Sequence, residues 1–195
     1  MPVVTRALLI ALLCSALPLS QAIAREVPEP ADHVQADGPY IFRDGTRLQA
    51  QWICDDRVVS RKYRGNRNNV RRASRDCGYP HTLHIAPLAD PAMAVLPAVP
   101  RIVAVSDIHG QYGLLRQLLR ANGVIDPSDN WTLGRDTLVI AGDVFDRGPQ
   151  VTEAFWLLYS LQQQAAQAGG AVHFVLGNHE TMVLYDDLRY VNPKY

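Results

Sequence analysis

The sequence predicts an α/β chain of the α+β kind, with a small β-rich segment ahead of a strand–helix–strand–helix–strand run. Three observations carry this. Short apolar runs at 102–105, 138–141 and 172–176 have the length and content of buried strands. Between them stand Leu114, Leu115, Leu118 and Leu119 at helical spacing, then a second helical stretch from Val151 to about Ala168. Ahead of them, residues 40–42 and 48–53 read as strands around an Asp44-Gly45 turn, and Val58-Val59 begin a third after Asp55-Asp56. On the second helix Ala154, Phe155, Leu158 and Leu161 share one face, and Gly169-Gly170 ends it. Strands alternating with helices make an α/β sheet, with antiparallel additions left open.

From the N-terminus, residues 1–24 read as a signal peptide. Arg6 precedes an apolar run, and Ala22-Ile23-Ala24 is a small-x-small cleavage site. A transmembrane anchor is the competing reading, but the run is short for a bilayer span of about 20 residues. The expected location is therefore periplasmic or secreted, with no stable membrane insertion after cleavage. Residues 25–39 form a Pro- and acid-rich lead-in expected to be flexible. Residues 40–86 are the β-rich segment. Removal of Cys14 with the leader would leave Cys54 and Cys77, a candidate disulfide in an oxidising compartment, against two free buried thiols.

Arg57, Arg61, Lys62, Arg64, Arg67, Arg71, Arg72 and Arg75 occur with no acid among them. A solvated loop is the plainer reading; a positive rim that attracts phosphorylated substrates is the sharper one. Tyr63 alone offers no stacking platform, and 19 basic residues balance 19 acidic ones, so no nucleic-acid partner is expected. Residues 87–100 form a Pro/Ala-rich connector, and 101–195 the α/β part.

A polar cluster follows each of the three α/β strands: Asp107, His109 and Gly110; Gly142, Asp143, Asp146, Arg147 and Gly148; Gly177, Asn178, His179 and Glu180. The carboxyl ends of neighbouring strands in an open α/β sheet converge on one crevice, so the clusters should meet. Asp107, His109, Asp143 and Asn178 make a mixed nitrogen and oxygen donor set. It suits manganese, iron or zinc and lacks the thiolates of structural zinc. Two such ions generate a hydroxide and clamp a phosphoryl group. Arg147 offers a planar fork to phosphate oxygens. His179 can protonate a leaving oxygen, with Asp146 fixing its tautomer. Singly, each residue is an ordinary turn or cap; the order and placement of all three clusters carry the reading.

These blocks, Asp107-Ile108-His109-Gly110, then Gly142-Asp143-Val144-Phe145-Asp146-Arg147-Gly148, then Gly177-Asn178-His179-Glu180, resemble the first three signature blocks of the phosphoprotein phosphatases, within the calcineurin-like metallophosphoesterases. Asp146-Arg147-Gly148 and Glu180 favour protein phosphatases over the wider superfamily. Leu188-Arg189-Tyr190-Val191, Lys194-Tyr195 and Gly169-Gly170 are similar to the bacterial-type branch called Shewanella-like. The resemblance covers about 102–195 and leaves 25–100 unexplained.

The resemblance implies a β-sandwich flanked by helices, with 101–195 as the N-terminal half of that domain. It implies two divalent metal ions: Asp107, His109 and Asp143 for the first, Asp143 bridging, and Asn178 on the second. Arg147, with Asn178 near it, would bind the phosphate, and His179 with Asp146 would donate the proton. The implied reaction is attack of a metal-bound hydroxide on a phosphomonoester of a phosphorylated protein or small molecule, without a phosphoenzyme. The family carries further blocks that complete the second metal site, whereas no histidine follows His179 here. The expectation is a partial domain with an incomplete second site. Two alternatives stay open: a symmetrical dinucleoside polyphosphate hydrolase, whose third block usually ends in Asp, and an inactive metal- or phosphate-binding module.

Overall fold

The computed structural model describes residues 36–64, 68–87 and 98–195, all within one compact unit, Val34–Tyr195. The expected leader, the lead-in up to residue 35, residues 65–67 of the basic stretch and 88–97 of the connector lie outside the described residues.

Three antiparallel strands, β1 (Ala36–Asp44), β2 (Arg47–Cys54) and β3 (Arg57–Tyr63), form a meander. The lead-in expected to run to Pro39 ends earlier. β1 already begins at Ala36, and Asp37 is buried, because its carboxylate has partners further along the chain. Alternation along β2 turns Leu48, Ala50 and Trp52 inward. They pack in one core with Val70, Tyr79 and Leu83. Val70 and Leu83 are paired by two short strands, β4 (Asn69–Val70) and β5 (Leu83–His84). Cys54 and Cys77 are joined by a disulfide, Cα–Cα 5.7 Å, which ties the end of β2 to the β4–β5 connection.

The first half of the basic stretch is strand rather than loop. Arg61 lies on β3 with its guanidinium 5.4 Å from the Trp52 ring and donates to the Ala73 carbonyl at 2.6 Å. Arg61 is thus engaged by the ring and the carbonyl although it is exposed, as Arg57 and Lys62 are.

Three parallel strands follow in the order β6 (Ile102–Val105), β7 (Thr137–Ile140), β8 (Ala171–Phe174). Helix α1 (Tyr112–Ala121) connects the first two and α2 (Val151–Ala168) the last two. A short helix α3 (Asn178–Leu184) comes after β8. The left-handed Gly169 ends α2, with the Gly170 N–H closing back on the Ala165 carbonyl at 2.8 Å.

Val103, Leu138 and Val172 stand side by side in register and point to the core, where Leu115, Leu119, Leu157, Leu158 and Leu161 meet them. Two expectations need correction. The run 102–105 is not wholly buried: Ile102 and Ala104 are exposed, because the sheet is covered on one face only among the described residues. Of the four α1 leucines, Leu115 and Leu119 are buried, while Leu114 and Leu118 face outward. The mixed α/β architecture holds, and the parallel sheet is a single layer among the described residues. No helix among them is long and apolar enough to cross a membrane.

Candidate active site

All three parallel strands end at the same edge, so the loops after Val105, Ile140 and Phe174 converge. Backbone bonds stitch the first two loops together. The His109 N–H donates to the Asp143 carbonyl at 2.9 Å, Gly110 N–H to Val144 O at 2.9 Å, and Gly148 N–H to His109 O at 3.0 Å. Such close approach requires glycine: a Cβ on Gly148 would run into the His109 carbonyl.

The second and third loops are joined by Glu180, which is 1 % exposed. One carboxylate oxygen accepts the N–H groups of Val144 and Phe145 at 2.7 and 2.9 Å; the other accepts those of Asp143 and Gly177, both at 2.8 Å. The bond to Gly177 is the return half of a capping box on α3. Burial alone would raise the Glu180 pKa; the N–H donors of Phe145, Gly177, Asp143 and Val144 outweigh it and hold the carboxyl below its ordinary value. The sequence marked Glu180 only as a family feature, and nothing local in it signals four backbone partners.

Five non-glycine residues of these loops have left-handed φ: Asp107 (56°), His109 (46°), Asp143 (56°), Asp146 (70°) and Arg147 (66°). Backbone of this kind costs energy and persists only where surrounding contacts over-determine it, which is common at functional sites.

Ligand atoms of His109, Asp143 and His179 lie within 4.8 Å of one another. The His109 Nδ1 sits 2.9 Å from the Phe145 carbonyl, which fixes the N–H there and leaves Nε2 free to ligate. Asp143 Oδ1 accepts the His179 backbone N–H at 3.0 Å. Asp107 stands apart from the three-residue group. Its carboxylate is exposed, 2.5 Å from the Ser106 hydroxyl and 3.9 Å from His109 Nε2. Asn178 opens α3 beside Gly177 and is exposed.

His179 and Asp146 are both buried, and Nδ1 meets Oδ2 at 2.7 Å. That bond leaves Nε2 as the atom free for a proton or an ion. The His109 and His179 rings pack edge-on, centroids 4.6 Å apart, and Tyr190 packs edge-on against His179 at 5.4 Å. The Arg147 side chain is exposed. A cleft of about 490 Å³ opens beside Asp107, walled by Val105, Gln111, Leu114 and Leu118.

The donors fit divalent metal: imidazole and carboxylate together, no thiolate, and an imidazole whose second nitrogen is already pinned to a carbonyl.

Residues 100–195 match the family described as calcineurin-like phosphoesterase, and this part of the chain belongs to that family, whose members are metal-dependent. Within it the likeness is to the Shewanella-like protein phosphatases. Shewanella-like protein phosphatase 2 of Arabidopsis thaliana is 40% identical over 94 residues, 48% of this chain and 24% of the relative. The crystal structure of a cold-active protein-tyrosine phosphatase of a psychrophilic Shewanella species superposes with TM-score 0.71 and 40% identity, over 82% of this chain and 48% of that one. That coverage exceeds the 100–195 segment, so the likeness takes in part of the N-terminal sheet region. A symmetrical bis(5'-nucleosyl)-tetraphosphatase of Proteus mirabilis is 39% identical over 80 residues, 41% of this chain and 24% of the relative. The chain thus spans about a quarter of the curated relatives it matches and about half of the solved one.

Proposed function

We propose that this site hydrolyses phosphomonoesters, with phosphorylated proteins as the substrate class. The observation that carries the reading is the juxtaposition of the His109, Asp143 and His179 donors with a buried His179–Asp146 pair and an exposed arginine one residue further on. His109 and Asp143, with Asp107 and Asn178 at the rim, would hold metal. Metal bound there supplies Lewis acidity, which lowers the pKa of water and offsets phosphoryl charge.

The chain's own residues do the rest. Arg147 binds and orients the phosphate through its planar fork. Asp146 accepts the His179 Nδ1–H and orients the ring, turning Nε2 toward the site. Nε2 then holds the proton that goes to the leaving oxygen. The apolar wall of Leu114 and Leu118 beside Asp107 suits a peptide or aryl leaving group. The Shewanella protein's name supports phosphotyrosine among the substrates. The Cys54–Cys77 bond supports an exported location, periplasmic or secreted, as the leader predicts.

Hydrolysis of a chromogenic aryl phosphate by the purified chain, with and without manganese, tests this. Manganese-dependent turnover that vanishes in Asp143→Asn supports it; turnover indifferent to manganese and to Asp143→Asn rejects it. The likeness to the Proteus tetraphosphatase supports a second reading, cleavage of dinucleoside polyphosphates. Faster turnover of diadenosine tetraphosphate than of a phosphopeptide would favour that one.

A further inference from the structure

Four residues from 190 to 195 and one from β1 close around the loop that carries Asp146 and Arg147. The Arg147 N–H donates to the Tyr190 carbonyl at 2.8 Å, and the Arg147 carbonyl accepts from the Asn192 amide at 2.8 Å. Both sides of the one strained, exposed arginine are thus held by the 190–195 segment. That segment is itself anchored. The Lys194 ammonium donates to the Pro149 carbonyl at 2.8 Å, and pairs with Asp37 at 3.1 Å and Glu153 at 3.5 Å. The Tyr195 hydroxyl accepts from the Val151 N–H at 2.9 Å and sits 3.1 Å from the Pro149 carbonyl.

Asp37 belongs to the antiparallel sheet, is 3 % exposed, and also accepts from Thr152 at 3.1 Å and from the Tyr40 hydroxyl. Apart from the Tyr190 ring, which packs edge-on against His179, these groups bond to neither His109, Asp143 nor His179. What they have in common is the peptide track from Asp146 to Thr152, which bears two consecutive left-handed residues, Asp146 and Arg147. A track with that backbone needs outside contacts to hold it. An ammonium shared among two carboxylates and a carbonyl is a compact way to supply them.

We propose that Lys194, with Asp37 as its counter-charge from the N-terminal sheet, is a positioning residue for Arg147. The antiparallel sheet then takes part in phosphate recognition at a distance, through an ion pair to the 190–195 segment. This rests on reading Arg147 as the phosphate ligand. It predicts that the strut sets how well phosphate binds and leaves metal binding alone.

The test uses the full chain with manganese and inorganic phosphate as the probe. Two things are measured: phosphate affinity by calorimetry, and amide hydrogen exchange over 146–151. The paired variant Lys194→Met with Asp37→Asn removes the ammonium and the nearer of its two carboxylates, leaving the Glu153 charge in place. It should speed exchange over 146–151 while leaving 157–165 in α2 unchanged. It should weaken phosphate about tenfold, the lower end of what orienting partners contribute, with manganese affinity unchanged. The same pair of changes made on Arg147→Ala should weaken phosphate no further. Tyr195→Phe, which alters no charge, should act in the same direction more weakly and keeps the test valid if the paired variant does not fold.

Wild-type exchange over 146–151 in both variants would overturn the proposal. So would an equal loss of phosphate affinity with and without Arg147, which marks a general loosening. If the unaltered chain binds manganese but no phosphate, the reading of Arg147 itself has failed and the proposal falls with it. Failure of the proposal alone shows instead as normal phosphate binding that ignores the strut.

Discussion

The N-terminal antiparallel sheet and the parallel sheet solve opposite problems. The first, with Trp52 and Ala50 fully buried and a disulfide across its edge, has left-handed non-glycine residues only at its Asp55-Asp56 turn. The second places five such residues at the ends of its strands and holds them with polar contacts. Apolar burial and a covalent tie secure one region; hydrogen bonds to a strained backbone shape the other. Function gathers where the chain is least relaxed, and the relaxed sheet serves as something to brace against.

Removing a proton carrier should affect chemistry and spare the fold. Asp146→Asn keeps the shape but offers His179 Nδ1 a different partner, so aryl phosphate turnover should fall about 10²–10⁴-fold, with the thermal midpoint changed little. A collapse of both together would erase the contrast between the regions. Glu180→Ala should do the reverse of a surgical change. It strands four N–H donors of the site loops, so urea titration should show a loss of at least about 3 kcal/mol, together with weakened manganese binding. Glu180→Asp, one methylene short, should fall between.

Reducing Cys54–Cys77 should cost about 2–4 kcal/mol, read by denaturant titration with and without reductant. Metal affinity per folded molecule should stay the same. If metal affinity falls in step with reduction, the two regions are less separable than their backbones indicate.

The smallest effect concerns pH. Burial works against the Lys194 ammonium, but Glu153 and Asp37 outweigh it and raise its pKa above the ordinary lysine value. A raised lysine contributes fully below its unfolded pKa, about 10.4, and loses that contribution as pH climbs through the higher folded value. The stability gap between wild type and Lys194→Met should therefore be flat through neutral pH and close only in strong alkali.

Much of this arrangement could be read from residue order. The helix Val151–Ala168 and its glycine stop matched the expectation, since helical periodicity and a left-handed cap are local signals. The three polar clusters converge because parallel strands end at one edge, which also follows from pattern. Periodicity cannot say which face a neighbour covers, so the outward Leu114 and Leu118 and the exposed Ile102 were not foreseeable. Nor could a burial pattern reveal Asp37, taken as lead-in, as the partner of a lysine far along the chain. The Glu180 clamp was hidden for the same reason: its partners are main-chain atoms, which leave no trace in residue type.

The three tryptophans fall one to each zone of interest. Trp52 is sealed in the antiparallel sheet, Trp131 lies half-buried before β7, and the Trp156 indole on α2 donates to the Pro39 carbonyl across the seam at 2.9 Å. The molecule therefore carries its own optical gauges. Single-tryptophan versions would let the emission of each zone be followed separately during unfolding, without any attached dye, and Trp156 would register the moment the two sheets part company.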